Sequence, residues 1–296
     1  MERARVTGAW SARALLIFVT FIWGATFTLT KQGLSAVPPY AFLSLRFALA
    51  SLATLGLALA VRQKEPAFRH PRTWLVGALA GLPLGASFLL QTEGLKTITP
   101  GLSGFLTGLN VVMVPILMGV WTRQPIDRRS ALGIALACAG LVAMCAGTDL
   151  HGRLGGIIET TLCALGVALQ IVIVDRWAKG LAPFAVAAVE IWVSTLMAFA
   201  SAWLSGQWGH LLDTSVWLRP GVLDAVVING WLGTAFALWA QNWAQKRLSS
   251  AQTAITFSLE PVFAAVIGWA ALGDAMSWAS ALGGLLIALG MAITPA

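Results

Sequence analysis

The stretch ITFSLEPVFAAVIG, residues 255–268, sets one carboxylate, Glu260, directly before Pro261 in an otherwise apolar run. Glu260 lies about ten residues into that run, or roughly 15 Å along a helix axis, which is halfway through a hydrocarbon layer about 30 Å thick. A charge at that depth costs about 2.5–3.5 kcal/mol on insertion scales, so the group has to face a polar cavity, pair with a cation or carry a proton. Pro261 has no N–H to donate, which frees the carbonyl of Phe257 and predicts a bend with exposed backbone polarity beside the carboxylate. The chemistry on offer is recognition of a cation or carriage of a proton. The plainer alternative is a neutral, hydrogen-bonded structural acid.

Two further charges are embedded. Arg46 and Glu190 each stand seven residues past an aligned proline, Pro39 and Pro183, in PYAFLSLRF (39–47) and PFAVAAVEI (183–191). Their expected heights in the membrane differ by about 8 Å, within reach of a long guanidinium. Arg46 therefore either pairs with Glu190 or meets an anionic group on a ligand. Uncharged amides accompany them: Gln91, Asn110, Gln170, Gln241 and Asn242 lie deep in apolar runs and need partners there. Aromatic rings recur nearby at helical spacing, as in Trp23 and Phe27, Phe88 beside Gln91, and Phe236, Trp239 and Trp243, with Phe257 one turn before Glu260. A single ring in such a chain is an interfacial anchor or lipid contact by default. Amides and rings drawn from several helices describe a pocket for an amphipathic small molecule, with rings against its apolar part and amides or charges on its polar head. Glu93, Glu159 and Asp224 sit near the ends of their runs, where snorkelling satisfies them, and Lys96 comes one turn after Glu93.

Other chemistries lack their residues. No GxxxxGK[ST] phosphate loop, HExxH or GxSxG is present, and His70, His151 and His210 fall in separate breaks without metal-ligand spacing. No cofactor or metal is expected, and no enzyme activity. Cys138, Cys145 and Cys163 form no CxxC pair and are expected to pack in the interior. The net charge of +7 comes from basic residues scattered in short breaks rather than from a stripe interleaved with aromatics, so no nucleic acid is expected as a partner.

The elements that position these groups are set by composition. Of the 296 residues 58% are hydrophobic and 10% charged, against about 25% charged in a soluble domain. Apolar runs long enough for a bilayer, about 20 residues each, fall at 14–34, 39–61, 74–95, 98–121, 130–147, 154–175, 183–204, 221–243, 250–272 and 277–294. Their length and lack of strict alternation exclude membrane strands. The expected fold is an all-α integral membrane protein of ten transmembrane helices. Gly77, Gly81, Gly85, Gly104 and Gly108 are expected to let backbones approach closely.

Orientation is set by the bias of positive charge towards the cytoplasm. With the amino terminus inside, cytoplasmic segments hold fourteen of the 19 Lys and Arg residues, from Arg3, Arg5 and Arg13 through Arg62, Lys64, Arg69, Arg72, Arg123, Arg128 and Arg129 to Arg176, Lys179, Lys246 and Arg247. Only Lys31, Lys96, Arg153 and Arg219 face out, and Arg46 lies within a helix. Both termini are expected in the cytoplasm, with the first apolar run a signal anchor that stays in place.

The chain also repeats. SALG at 130–133 recurs at 280–283, and the same offset of 150 aligns Gly140 with Gly290, Gln91 with Gln241 and Lys96 with Lys246. Residues 1–148 and 149–296 are expected to be two related five-helix halves. Five is odd, so equivalent loops fall on opposite sides of the membrane and the repeat is inverted, an arrangement that recurs in secondary transporters with a site near the midplane. A channel of the same symmetry, or a membrane scaffold or enzyme, is the alternative.

FIWGATFTLTKQGL (21–34), SLRFALASL (44–52), LEPVFAAVIGWAALGD (259–274) and ALGGLLIALGMAI (281–293) together resemble the ten-helix type of the drug/metabolite transporter superfamily, with two EamA repeats. The resemblance spans essentially the whole chain. Asp274 stands where the family's pattern has Glu, and VPILMGVWTRQPID (114–127) carries Pro115 without the glycine-acid pair found in the second half. It implies a secondary carrier exporting amino acids and other small metabolites across the bacterial inner membrane, with a central cavity lined mainly by helices one, three, four, six, eight and nine. Within that superfamily the chain resembles the aromatic amino acid exporter branch, which its many tryptophans fit. The implied partners are a small-molecule substrate and membrane lipid, with the chain acting as a monomer.

Overall fold

A computed structural model describes residues 2–60, 66–122, 126–144, 153–219, 221–272 and 278–294. Arg62, Lys64, Arg123, Cys145, His151 and Asp274, the side chains of Arg3 and Arg5, and the expected boundary between residues 148 and 149 lie outside the described residues. Among the described residues there are helices and turns and no strands.

Ten helical runs are present among these residues. The first half contains α1 (Glu2–Gly33), α2 (Pro39–Ala60), α3 (Pro71–Gly94), a fourth run divided into α4 (Pro100–Gly108) and α5 (Asn110–Thr122), and α6 (Arg128–Met144). The second contains α7 (Leu154–Trp177), α8 (Pro183–Leu204), the short surface helix α9 (Thr214–Trp217), an eighth run of α10 (Val222–Gly230) and α11 (Ala237–Gln245) joined by a π-helical turn (Trp231–Phe236), a ninth run of α12 (Ser250–Phe257) and α13 (Glu260–Leu272), and α14 (Trp278–Ile293). Eight runs are long and apolar enough to cross a bilayer, and α6 and α14 are shorter. The protein is an all-α integral membrane protein of two inverted five-helix repeats.

Local chemistry sets the helix starts. Pro39, Pro71, Pro100 and Pro183 occupy first positions, where the missing N–H costs nothing and the fixed φ suits a helix. Thr99 accepts from Leu102 N–H at the head of α4, and Ser249 with Gln252 forms a capping box at the head of α12.

Lipid tails are as apolar as leucine, so helix association here rests on close packing through small residues. In α3, a methyl added at Gly77, Gly81 or Gly85 would strike Val189, the backbone of Glu190, or Met197 and Ser194 of α8. The opposite face of α3 meets α7, where Gly166 abuts Pro83 and Ser87. Helices α6 and α14 cross through glycines that exchange equivalent partners: Gly133 abuts Gly290 while Gly140 abuts Gly283. Since the offset of 150 makes Gly133 equivalent to Gly283 and Gly140 to Gly290, this crossing has the local geometry of a two-fold axis between the halves.

Candidate functional site

The ninth run is broken where the proline predicts a bend: α12 ends at Phe257 and α13 begins at Glu260. The fourth run breaks at Leu109, although Pro115 lies a turn and a half further on. The two interruptions lie side by side, with Gly104 of α4 against Pro261 of α13, and both open onto a central cavity.

Rings form part of the wall. Trp23 of α1 meets Phe257 edge-on at 4.9 Å between centroids, and Phe88 of α3 is held edge-on by Phe47 at 5.1 Å. Leu84 and Val167 add apolar wall, and polar side chains supply the rest, among them Gln91 and Ser87 from α3, Thr107 and Asn110 at the fourth-run break, Gln170 from α7, Gln241 from α11, Arg46 from α2 and Glu260. The space open to water-sized spheres is about 50 Å³, several times what one water needs.

Arg46 and Glu260 carry opposite charge into one cavity without pairing. The only ion pair within 4.0 Å among the described residues is Lys96 with Glu93, at 2.5 Å. Arg46 is 3% exposed and rests on neutral groups. Its Nε donates to Thr234 Oγ1 at 2.9 Å, its Nη2 donates to the Gly233 carbonyl at 3.3 Å, and its guanidinium lies 4.5 Å from the Phe88 ring centroid. Glu260, 5% exposed, has no hydrogen-bond donor within reach among the described residues. The two charges attract each other across the cavity without a salt bridge between them, so the desolvation of each is only partly compensated.

The π-helical turn explains how Arg46 is held. Its i→i+5 geometry displaces the Gly233 carbonyl from the ordinary ladder, and that oxygen accepts from both Arg46 and Trp23 Nε1, the latter at 2.9 Å. Thr234 Oγ1 donates in turn to the Asn229 carbonyl at 2.8 Å. A Cβ at Gly233 would collide with Thr26, so only glycine lets α1 approach this turn.

Glu190 lies behind the cavity wall. Fully buried, it accepts from Gln170 Nε2 at 3.0 Å and Asn242 Nδ2 at 3.3 Å. Gln241 donates to Gln170 Oε1 at 2.7 Å and to Gln245 Oε1 at 3.1 Å, and Gln245 donates to the Ile171 carbonyl at 2.9 Å. This amide ladder ties α7, α8 and α11 together between the cavity and the ends of those helices that carry Asp175, Lys179 and Lys246. At the opposite end, Lys31 Nζ donates to the carbonyls of Leu95, Lys96 and Ile98, fastening α1 to the α3–α4 turn.

Of the residues the sequence singles out, Trp23, Phe88, Gln91, Asn110, Gln170, Phe257, Glu260 and Arg46 converge on the cavity. Four others do not. Phe27 packs against Gly104. Phe236 and Trp239 line an apolar groove beside α2 and α8. Asn242 belongs to the ladder. Phe236 closes the π turn and Trp239 follows it within one turn, and the wider turn changes the face that both present. Arg46 and Glu190 do not pair, since each is satisfied by neutral partners on its own side. Thr26, Ser87, Thr107 and Cys163 line the cavity without having been singled out for it. Small hydroxyls bond their own helix carbonyls, as Ser87 does to Pro83 and Thr107 to Ser103, so their types carry little signal.

Known proteins resemble the chain along its full length. A family model described as the EamA-like transporter family matches residues 10–146 and again 154–294. An uncharacterized transporter of Archaeoglobus fulgidus is 28% identical over 278 residues, covering 94% of this chain and 83% of its own. The uncharacterized transporter YoaV of Bacillus subtilis is 22% identical over 288 residues, covering 93% and 94%. A crystal structure of another protein superposes with a TM-score of 0.73 at 21% identity over 96% of both chains, a likeness of fold alone. With one family match in each half of a ten-run membrane protein, this chain belongs to the EamA-like transporter family, within the drug/metabolite transporter superfamily.

Proposed function

We propose that this membrane transporter is a secondary carrier for amino acids with apolar or aromatic side chains and for related small metabolites, moving them out across the bacterial inner membrane by alternating access. The carrying observation is the pair of unpaired opposite charges in one cavity. A zwitterion brings a carboxylate for Arg46 and an ammonium for Glu260, while Trp23, Phe88 and Phe257 receive an apolar side chain. Lys31 ties α1 to the α3–α4 turn on one side and the amide ladder ties α7, α8 and α11 on the other, contacts whose alternate release supports a cycle in which residues 1–148 and 149–296 rock against each other. In this reading both termini are cytoplasmic, the chain works as a monomer, and neither cofactor nor metal takes part.

Purified protein in liposomes tests it. Saturable uptake of labelled phenylalanine, accelerated when unlabelled phenylalanine waits on the other side, is the expected result, with Glu260→Gln and Arg46→Gln each altering the rate. No flux for any amino acid rejects the substrate assignment. Unsaturable conductance replaces the carrier by a channel-like facilitator.

A further inference from the structure

The two helix breaks are related by the repeat. The offset of 150 that aligns Gln91 with Gln241 also aligns Leu109 with Leu259 and Asn110 with Glu260. α5 begins at Asn110 and α13 at Glu260, so each half places one polar side chain on the residue where its broken helix resumes. Both side chains line the same cavity.

Asn110 is fully buried, and its amide orientation is fixed by one bond: Nδ2 donates to the Thr107 carbonyl at 2.8 Å. The reverse orientation would set two oxygens against each other. The remaining atom, Oδ1, has no hydrogen-bond partner among the described residues. Such an orphan costs about 1–3 kcal/mol, and it is an acceptor. Glu260 adds further acceptors that no neighbouring donor satisfies among the described residues. The nearby donors are engaged elsewhere, Gln91 Nε2 with Thr107 Oγ1 at 3.1 Å and Thr107 Oγ1 with the Ser103 carbonyl at 2.9 Å. Asn110 Oδ1 and the Glu260 carboxylate thus receive no hydrogen bond among the described residues, Arg46 acting on Glu260 only from a distance, and a cation placed between them would satisfy both.

We infer that the paired helix breaks form a monovalent cation site, in which Asn110 Oδ1 and the Glu260 carboxylate together hold the primary ammonium of the substrate or, failing that, an alkali ion. This rests on the carrier reading only for who supplies the cation. Arg46 sets the polarity of the cavity: a ligand's anionic end goes to α2 and its cationic end to the breaks. Asn110 then selects for a donor-bearing nitrogen, so that a carboxylate lacking the amine is a poor ligand.

The test is the thermal unfolding midpoint of the purified full chain, followed by tryptophan fluorescence, with three probes: phenethylamine, 3-phenylpropionate, and sodium chloride against choline chloride. Phenethylamine is expected to raise the midpoint, and Asn110→Leu to abolish that shift while leaving any phenylpropionate effect in place. Asn110→Asp keeps the shape and adds a carboxylate, and is expected to lower the phenethylamine concentration for half-maximal shift about tenfold. It serves where Asn110→Leu does not fold. A sodium-specific shift without a phenethylamine shift keeps the site and assigns it to an alkali ion. A wild-type midpoint moved by neither cation, or a phenethylamine shift unaltered in both variants, overturns the inference. Failure of amino acid flux in liposomes with the phenethylamine shift intact would reject the transport reading and leave this site standing.

Discussion

Gln170 donates to Glu190 at 3.0 Å while its own carbonyl oxygen accepts from Gln241 at 2.7 Å, so one amide links a residue of the cavity wall to a fully buried carboxylate. Each member of this ladder has its polarity assigned by its neighbour, which makes the ladder rigid as a set and costly to interrupt.

Removing the carboxylate tests that cost. Glu190→Ala strands the amide donor of Gln170, while Asn242 Nδ2 keeps its bond to the Leu238 carbonyl at 3.0 Å, and is expected to destabilise the protein by roughly 1–3 kcal/mol. Glu190→Gln retains one acceptor and should cost less. Thermal unfolding in detergent measures both. Equal midpoints for Glu190→Ala and wild type would mean that the ladder does not hold α7, α8 and α11 together.

Thr234 is the residue that holds Arg46 Nε, and it reaches no further into the cavity itself. Thr234→Val removes the acceptor without changing the volume much, leaving the guanidinium free to swing. Loss of a hydrogen bond to a charged group is worth about 1.5–3 kcal/mol, so KM for a carboxylate-bearing substrate is expected to rise about tenfold or more with little change in maximal rate. Thr234→Ser should restore it. An unaltered KM in Thr234→Val would show that Arg46 needs no such support.

Cys163 gives a reporter already in place. Its thiol lines the cavity and receives Gln91 Nε2 at 3.7 Å. In a background carrying Cys138→Ala and Cys145→Ala, maleimide labelling is expected to be slow, because the thiol is 1% exposed, and slower still with saturating substrate. Labelling that substrate does not affect would place the substrate elsewhere.

Much of this arrangement is legible along the chain. Ten runs can be read from hydrophobicity and length, because every backbone polar group in lipid must be satisfied within its own helix. The bend before Pro261 comes from a missing N–H. The break at Leu109 has no such local mark, and it is legible only through its equivalence to Leu259. The π turn is equally silent in sequence, since nothing in WLGTAF (231–236) demands a wider turn. It forms where α1 and α2 converge on Gly233 and Thr234.

By itself the sequence determined the class, the ten apolar runs, the inverted repeat and the presence of charges within those runs, because these depend on composition and on spacing along single helices. Which charges meet was decided only by tertiary structure. Arg46 turns to Thr234 and Gly233 rather than to Glu190, and Glu190 turns to two amides, because partners for a long side chain are fixed by helix rotation and by the close approaches that glycines permit. A one-residue change in helical register rotates a face by about 100°, and no periodicity reveals that before the helices are packed.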